Sequence, residues 1–299
     1  MTPPTPRAAK NPEVIGVLGL GAMGSGVAAD LKASGFDVIT ALEGRSGRTR
    51  SRAEMAGVRV LASLAEVVGT ADTFLSIVPS DQAEPLADAV ATAIASRKAN
   101  EPLHYVDCNS ITPSRSARIG ARVTAAGAIF SDGGIIGPPP GGRGKTRLYV
   151  SGPASVALAA LQSERMPVIR LGDGLTQATE MKVLFAAANK GATALLANVL
   201  AAANQVGLLD RVVGEIDGAR PGLLACVRSS APDLDDKAER WAIEMEDLAE
   251  GLAEMHCHGG YHKAAAESYR RLAANLADAP AGTDPLQRIL TAWAGPKAG

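Results

Sequence analysis

"VIGVLGLGAMGSGVAADL" (Val14–Leu31) is the stretch of sequence that decides the fold. An apolar run of strand character gives way to closely spaced glycines and resumes as an Ala-rich run of helical character, the glycines being Gly19, Gly21, Gly24 and Gly26. Ordered glycine costs backbone entropy, so this cluster needs a physical reason. In a Gly-x-Gly-x-x-Gly turn between strand and helix, the first glycine permits the tight turn, the second lets a pyrophosphate approach the backbone, and the third lets the helix pack on the strand. The spacing therefore predicts a dinucleotide-binding turn.

Outward from this turn, short strand-like runs alternate with Ala-rich helical segments as far as Leu171. Alternation of this kind is typical of a parallel sheet covered on both faces by helices. The predicted strands are Val14–Leu18, Val38–Ala41, Val58–Leu61, Thr73–Val78, His104–Asp107, Ala128–Phe130, Leu148–Val150 and Val168–Leu171. Helices are predicted among them at Ser25–Ser34 and Ala83–Ser96.

After Gly174 the pattern is helical throughout, beginning with one long helix predicted over Thr176–Leu209. Further helices are predicted over Asp236–Met255 and Tyr261–Ala277. The predicted fold class is therefore an α/β Rossmann-type N-terminal domain plus an all-α C-terminal domain. The predicted segments are a disordered tail at residues 1–12, an NAD(P)-binding domain at 13–174, and a helical domain at 175–299, to which the family resemblance described below assigns substrate binding and dimerisation.

The composition narrows the class of protein. The chain has 299 residues, of which 46% are hydrophobic and 20% are charged, a globular composition. Its formal net charge is -1 and it has no dense run of Lys and Arg, so we expect no nucleic-acid partner. No apolar run approaches about 18 residues without a polar interruption, so we expect no membrane-spanning segment. The cysteines are odd in number and the N-terminus lacks an apolar signal sequence, so we expect reduced thiols and a cytoplasmic location.

The residues after the second predicted strand bear on which dinucleotide binds. Glu43 lies about 20 residues after Gly24, where an acidic side chain accepts hydrogen bonds from the ribose 2′-hydroxyl of NAD. Arg45 and Ser46 follow at once, and a guanidinium with a hydroxyl is what the 2′-phosphate of NADP needs. A solvated basic turn is the alternative. We predict NADP, with NAD kept open.

Five ordered motifs carry a resemblance to a known family over nearly the whole first domain and the start of the second. They are "GVLGLGAMGSGVAADLKASGFDV" (Gly16–Val38), "SIVPS" (Ser76–Ser80), "VDCNSITPSR" (Val106–Arg115), "FSDGGIIG" (Phe130–Gly137) and "MKVLFAAANKG" (Met181–Gly191). In these motifs the chain resembles the β-hydroxyacid dehydrogenases, which include 3-hydroxyisobutyrate and 6-phosphogluconate dehydrogenases. The remainder is similar to a divergent branch with a phosphogluconate-dehydrogenase-like C-terminal domain.

The resemblance implies a dehydrogenase that transfers a hydride between a nicotinamide cofactor and a small hydroxy acid. It places the catalytic lysine at Lys182, and the nicotinamide and substrate near Asn109 and Ser110; a helix cap before Pro113 is the alternative role of those two residues. It also implies a homodimer held through the helical domains, a carboxylate substrate and a cleft between the domains. With the glycine turn it implies a cofactor-binding set of Gly19, Gly21, Ala22, Met23, Gly24, Glu43, Arg45, Ser46, Val78, Pro79 and Asn109.

The sequence around Lys182 supports a proton-transfer role. Hydride transfer to or from an alcohol carbon requires one proton to move at oxygen, and a lysine does this when burial lowers its pKa. Lys182 has apolar neighbours, and with Asn189 and Lys190 it forms a polar stripe on the predicted helix. We therefore predict Lys182 as the general acid/base, and Asn189 and Lys190 as substrate-binding residues. A surface lysine whose stem lies over the domain junction is the alternative.

The chain departs from the family pattern near the substrate. Ala186 stands where the family has Asn four residues after its lysine, and Ile136 replaces a serine of the substrate-contacting turn. We therefore expect a substrate other than 3-hydroxyisobutyrate. Two other functions stay open: an imine-reducing enzyme on the same scaffold, and an NAD(P)-binding regulatory protein without catalysis.

The run "HCHGGYH" (His256–His262) places several possible metal ligands near one another. His258 and His262 are spaced as zinc ligands on a helix can be. Gly259 and Gly260 interrupt any helix between them, so a polar turn between helices is the alternative. We predict that turn and no metal site.

Overall fold

The computed structural model describes residues 13–99, 101–142, 144–279 and 284–295. The chain divides into two compact units, residues 1–182 and 183–299. The division falls within a helix, a little after the predicted domain boundary at 174/175, which stays a prediction. The predicted disordered tail, residues 1–12, lies outside the described residues.

The first unit is built on an eight-stranded sheet. Its strands are β1 (Val14–Leu18), β2 (Asp37–Ala41), β3 (Arg59–Leu61), β4 (Thr73–Ser76), β5 (His104–Asp107), β6 (Ile129–Ile136), β7 (Arg147–Ser151) and β8 (Val168–Gly172). Their order in space is β3-β2-β1-β4-β5-β6-β7-β8. Strands β1 to β6 are parallel, β7 runs antiparallel to β6, and β8 runs parallel to β7. The Rossmann-type class is confirmed, with one antiparallel pair that the alternation of elements did not predict.

Helices cover both faces of this sheet. They are α1 (Ala22–Ala33), α2 (Gly47–Met55), α3 (Leu64–Thr70), α4 (Ser80–Ile94) and α5 (Pro113–Ala125), with a 3₁₀ helix at Pro153–Leu161. Val17 and Val106 belong to the core on one face, and Phe74 and Tyr105 to the core on the other. Burial on both faces is the reason that the central strands are continuous apolar runs rather than alternating ones.

The strand register brings the ends of the central strands to one level. Leu18 of β1 pairs with Ser76 of β4, and Ser76 pairs with Asp107 of β5. Asp107 pairs in turn with Asp132 of β6. In open α/β sheets, ligands bind at the carboxyl edge where the strand order reverses, which here is between β1 and β4. Residues that follow these strand ends are therefore neighbours although they are far apart in sequence.

Strand β6 is longer than predicted and forms a hairpin with β7. The sequence predicted only Ala128–Phe130, because Gly133 and Gly134 are typical of a turn or a weakened strand. The structure keeps both glycines in the strand, where the space is crowded. A Cβ on Gly133 would lie 2.8 Å from the carbonyl oxygen of Asp107, and one on Gly134 would lie 3.4 Å from the Cβ of Lys182.

The second unit is helical, and the predicted all-α class is confirmed. Tyr269 packs edge-on against Trp241 and Trp293 in its core, with ring centroids 5.5 Å and 5.3 Å apart. The helix predicted over Thr176–Leu209 ends earlier, because the chain turns at Gly207, which has φ +73°. The helices are α6 (Gln177–Gln205), which begins in the first unit, α7 (Leu209–Ala219), α8 (Ala225–Glu254), α9 (Gly260–Asn275) and α10 (Pro285–Ala294), with a 3₁₀ turn at Leu276–Asp278.

Helix α6 is the one helix, among the described residues, that is long and apolar enough to cross a membrane. Its most apolar window of 18 residues has a mean hydropathy of 1.4, and 39% of that window is buried. Ala197, Leu200 and Ala201 of this helix belong to the core of the second unit. The core helix of a folded domain passes the same test of length and composition, so the expected absence of a membrane partner stays a prediction.

Candidate functional site

The turn after β1 has the backbone geometry that the glycine spacing predicts. Gly19 has φ +94°, and a Cβ there would overlap the carbonyl oxygen of Ile77. A Cβ on Gly24 would overlap the carbonyl oxygen of Gly19, because α1 packs directly on the turn. Side chains larger than hydrogen are therefore excluded at both positions.

Gly21 differs from these two, because a Cβ there would meet no atom within 4 Å. It is the N-cap residue of α1, which has no capping side chain and no acidic residue in its first turn. Ala22 and Met23 lie in that first turn, where backbone N–H groups have no acceptor within the helix. Open space next to free N–H groups at the positive end of a helix dipole fits a pyrophosphate.

Glu43 and Arg45 line a cavity of ≈260 Å³ together with Val78. Both residues follow β2, which lies next to β1 in the sheet. Ser46 caps α2, since its Oγ accepts a hydrogen bond from the backbone N–H of Thr49 at 3.3 Å. The cavity wall therefore carries one acidic and one basic side chain, which fits the ribose end of either NAD or NADP.

Asn109 links the ends of β4 and β5. Its Oδ1 accepts a hydrogen bond from the backbone N–H of Val78 at 2.7 Å. Its Nδ2 donates to Ser76 Oγ at 2.8 Å and to Asp107 Oδ2 at 3.0 Å. The amide is thus engaged within the protein and holds the segment that leads to Pro79, the N-cap of α4. Contact of Asn109 with cofactor or substrate stays a prediction.

Ser110 follows directly and is exposed. Helix α5 begins at Pro113, and its N-cap is Thr112. The alternative interpretation of Asn109 and Ser110 as a helix cap is therefore wrong, because neither residue occupies the cap position.

The half-buried Lys182 lies in the second turn of α6 and belongs to the first unit. Its Nζ donates hydrogen bonds to the backbone carbonyls of Cys108 and Asn109, each at 3.2 Å. Asn109 in turn holds Val78, one residue past the Ile77 carbonyl that touches the glycine turn. A short chain of contacts within one unit therefore connects the ammonium group to the dinucleotide-binding turn.

Asp107 is a fully buried carboxyl group at the end of β5. Burial raises the pKa of Asp107 to about 6; hydrogen bonds from Asn109 and the charge of Lys182 oppose the shift, and Asp132 adds to it. No role could be predicted for Asp107 from the sequence, although it lies within the motif Val106–Arg115. The feature of the sequence that could have indicated a role is an acidic residue at the end of an apolar strand, because such a strand is buried on both faces of the sheet.

Asp132 is a second buried carboxyl group for which the sequence alone predicted no role. Its carboxylate accepts hydrogen bonds from the backbone N–H of Thr179 at 2.7 Å, from Thr179 Oγ1 at 2.6 Å and from Ser116 Oγ at 2.9 Å. Burial raises the pKa of Asp132, and the hydrogen bonds from Thr179 oppose that shift. Because Thr179 lies in the first turn of α6, the carboxylate fixes the start of the helix that carries Lys182.

The raised pKa of Asp107 predicts a pH dependence of stability. The folded protein keeps the proton up to about pH 6, whereas the ordinary pKa is 3.8, so between these values the folded state binds more protons than the unfolded state. The contribution of this group to the free energy of unfolding therefore falls by on the order of 3 kcal/mol as the pH rises through that interval, and stays low above it.

This prediction is checked by urea unfolding, followed by circular dichroism, at several pH values from 4 to 7. We expect the Asp107→Asn variant to lose most of this decline, while the contributions of Asp132 and of the exposed groups remain in both proteins. Parallel stability curves for the two proteins would show that Asp107 does not titrate in this interval.

Asn189 and Lys190 lie in the second unit. Lys190 Nζ forms an ion pair with Glu244 and lies 5.4 Å from the centre of the Trp241 ring. The Lys190 side chain is only 17% exposed, whereas Asn189 is exposed. The charge of Lys190 is thus balanced within the protein, and the substrate-binding roles of both residues stay predictions.

The histidine-rich run forms the turn between α8 and α9. His256 has φ +60°, and His258 packs edge-on against Tyr261 with ring centroids 5.9 Å apart. His262 Nε2 forms a hydrogen bond with the carbonyl oxygen of Ala187 at 3.1 Å. In the described part of the chain, no three His, Cys, Asp or Glu side chains come together as a metal site. The polar turn between helices is confirmed, and the absence of a metal stays a prediction.

Comparison with known proteins identifies the first domain. Residues 14–162 match the NAD binding domain of 6-phosphogluconate dehydrogenase. This chain has an NAD-binding domain of that family. Residues 203–272, in the helical unit, match a domain of unknown function, DUF1932. The predicted family resemblance is thereby confirmed, and the glycine turn with the cavity beside it is the expected place for the dinucleotide.

Three relatives illustrate the similarity. The chain is 26% identical over 199 residues to an uncharacterized 28.5 kDa protein of Methanothermus fervidus, an alignment that covers 67% of this chain and 74% of that one. The structure is similar to a Mycobacterium tuberculosis 3-hydroxyisobutyrate dehydrogenase solved with L-serine, with TM-score 0.73, 19% identity and coverage of 93% and 98%. It is also similar to a variant imine reductase of Myxococcus stipitatus in complex with NAD+, with TM-score 0.56, 18% identity and coverage of 94% and 100%.

At these identities the solved structures show a shared fold. The NAD-binding domain thus belongs to a fold that 3-hydroxyacid dehydrogenases and imine reductases share, and its cofactor class is a nicotinamide dinucleotide.

Proposed function

We propose that the protein is an NAD(P)-dependent oxidoreductase that transfers a hydride between the nicotinamide and a small hydroxy acid. The observation that carries this proposal is the position of Lys182 Nζ, which two backbone carbonyls hold at the carboxyl end of β5. The glycine turn lies at the same edge of the same sheet.

Lys182 supplies the proton that hydride chemistry at a carbon–oxygen bond requires. When bound, the nicotinamide supplies the hydride donor or acceptor. In the direction of reduction, the Lys182 ammonium donates its proton to the substrate carbonyl oxygen; in the direction of oxidation, the neutral amine accepts the proton of the hydroxyl group. The hydrogen bonds to Cys108 and Asn109 hold Nζ in one orientation, so little reorientation accompanies the transfer.

Asp107 and Asn109 act on this lysine indirectly. The positive charge of Lys182 lowers the pKa of Asp107, so the two groups interact electrostatically. Asn109 offers its backbone carbonyl to Lys182 while its side chain holds Val78. Both position Lys182, which is the group that exchanges the proton with the substrate.

The proposed substrate class is a small carboxylate. The family resemblance supports it, and a structurally similar protein is a 3-hydroxyisobutyrate dehydrogenase. Ser110, exposed at the end of β5, is a candidate to donate a hydrogen bond to that substrate. Asn189 and Lys190 remain candidates for its carboxylate, although Lys190 would have to exchange its partner Glu244.

Reduction of an imine is the second candidate function, because the fold is also shared with imine reductases. The test for both is a scan of NADPH and NADH oxidation against a panel of 2- and 3-oxo acids and a panel of cyclic imines. We expect turnover of at least one oxo acid and none of the imines. Turnover of imines alone would establish the second function. Binding of the dinucleotide without turnover of either panel would favour a regulatory protein.

We further propose NADP as the preferred cofactor, supported by Arg45 in the wall of the cavity beside the glycine turn. A charge-assisted hydrogen bond contributes about 1.5–3 kcal/mol. Arg45→Ala should therefore weaken NADPH binding roughly 10- to 100-fold, with little change for NADH. Glu43→Gln should act in the opposite sense and improve NADPH relative to NADH. Dissociation constants from nicotinamide fluorescence measure both, with Lys98→Ala as the surface control; equal losses for the two cofactors in Arg45→Ala would contradict the preference.

A homodimer and a cytoplasmic location complete the proposal. Leu195, Val199 and Val206 of α6 are 65%, 41% and 69% exposed, an apolar stripe at helical spacing that a second copy would cover. The free thiols of Cys108, Cys226 and Cys257 suit a reducing compartment. We propose no nucleic-acid or membrane partner.

A further inference from the structure

The first unit has a second cavity, of ≈690 Å³, that shares no lining residue with the cavity at Glu43 and Arg45. It lies between the loop from β6 to β7 and the segment before β8. Arg147 opens β7 and pairs with Ile136, the last residue of β6. The cavity is therefore beside the outer strands of the sheet, and the loop that lines it also packs on α1, since a Cβ on Gly26 would lie 2.9 Å from the Cβ of Pro139.

The wall of this second cavity is strongly cationic. Lys145, Arg147 and Arg165 line it, and Glu164 is its one acidic residue among those described. In the described part of the chain, none of the three cations has a side-chain hydrogen bond or an ion pair, whereas Arg59 in the same unit is paired with Asp37 and Arg170 with Asp173. The described wall thus has an excess of about two positive charges, with Arg147 partly buried and Lys145 and Arg165 exposed.

The side chain of Arg147 has a hydrogen-bond donor without an acceptor among the described residues. Its Nε is buried and has no hydrogen-bond partner among the described residues. Buried polar atoms in folded proteins nearly always have a partner, because leaving one unbonded costs free energy. The fork of an arginine is the group that binds a phosphate or a carboxylate with two parallel hydrogen bonds.

The shape of the cavity favours an organic anion over a bare ion. Its volume is within the range of small-molecule sites, about 300–1,000 Å³. Pro167 and Ile169 supply an apolar wall. Gly141 is also in the wall, and the Arg165 guanidinium lies near it, with Nη1 3.8 Å from the position of a Cβ on that glycine. An anionic head and a short carbon skeleton would both be accommodated.

We propose that this cavity binds a phosphate monoester of a small organic molecule, with Arg147, Arg165 and Lys145 around the phosphate and Pro167 and Ile169 against the carbon skeleton. A dianion matches the excess of about two positive charges, and the arginine forks fit its oxygens. The site shares no lining residue with the cavity beside the dinucleotide turn and does not depend on the proposed dehydrogenase activity.

The test is the affinity of the full-length protein for glycerol 3-phosphate, with inorganic phosphate and glycerol as comparison probes, measured by calorimetry and by the rise of the thermal midpoint. We expect glycerol 3-phosphate to bind more tightly than inorganic phosphate, and glycerol not to bind. Arg147→Gln and Arg165→Gln should each weaken glycerol 3-phosphate at least tenfold, while Lys98→Gln, with the same change of charge, should leave the affinity unchanged.

Two further variants test the location of the phosphate site even if an arginine variant folds poorly. Glu164→Gln should tighten binding of glycerol 3-phosphate severalfold, because it removes the one negative charge among the described residues of the wall. Arg45→Gln should leave its affinity unchanged, because Arg45 belongs to the other cavity. Loss of binding in Arg45→Gln with retention in Arg147→Gln would place the phosphate in the dinucleotide site and overturn the proposal. Equal losses in Lys98→Gln, or no binding of either phosphate probe, would also overturn it.

Discussion

Lys182→Ala should lower turnover of the best oxo-acid substrate by about 100-fold or more, because it removes the group that exchanges the proton at oxygen. Dinucleotide binding should change little, since Lys182 contacts the carbonyls of Cys108 and Asn109 and not the glycine turn. The measurement is steady-state oxidation of the reduced nicotinamide, together with its dissociation constant.

Lys182→Arg separates proton transfer from charge. Arginine keeps the positive charge but stays protonated, so it cannot alternate between acid and base. We expect it to be as inactive as Lys182→Ala, with Lys98→Ala as an active control. Turnover of Lys182→Ala within about threefold of the parent protein would remove this lysine from the mechanism, and full activity of Lys182→Arg would reduce its role to electrostatics.

Gly24→Ala and Gly21→Ala should affect different properties although the two residues lie three positions apart: Gly24→Ala mainly the stability of the fold, and Gly21→Ala mainly the affinity for the dinucleotide. A Cβ on Gly24 would overlap the backbone carbonyl of Gly19, which no side-chain movement relieves. We expect a loss of about 3 kcal/mol or more in the free energy of unfolding, and a fall of about 6 °C or more in the melting temperature of the first unit.

Gly21→Ala should cost at most about 1 kcal/mol, since a Cβ there meets nothing within 4 Å. Its methyl group would occupy the space through which a pyrophosphate approaches the N–H groups of α1, so dinucleotide affinity should fall at least about tenfold. Circular dichroism and cofactor fluorescence separate the two effects. Unchanged NADPH and NADH binding in folded Gly21→Ala would show that the pyrophosphate lies elsewhere.

Several elements could be predicted from the sequence because local pattern and burial agree. Strands β1 and β5 have the predicted bounds, since each is a short apolar run closed by a polar or glycine residue. Strand β6 was predicted too short, because Gly133 and Gly134 weaken a strand by local preference. Their pairing with β7 and the crowded space around them override that preference.

The predicted site residues also show that local sequence does not determine tertiary partners. From the sequence alone, the side chains of Asn109 and Lys190 could both face a ligand. In the structure Asn109 bonds to Ser76 and Val78, and Lys190 pairs with Glu244, each partner being distant along the chain. No local pattern carries such partners, so these hydrogen bonds and this ion pair could not be predicted from the sequence.

By itself, the sequence determined the dinucleotide turn and the division into α/β and helical parts, because glycine spacing and hydrophobic periodicity are local properties of the chain. Only the tertiary structure decided that Asp107 and Asp132 are buried, that the Lys182 ammonium lies on the two backbone carbonyls that follow β5, and that Lys145, Arg147 and Arg165 line one cavity. The physical reason is that burial and hydrogen-bond partners depend on which strand ends meet, and strand register joins residues that are far apart in the chain.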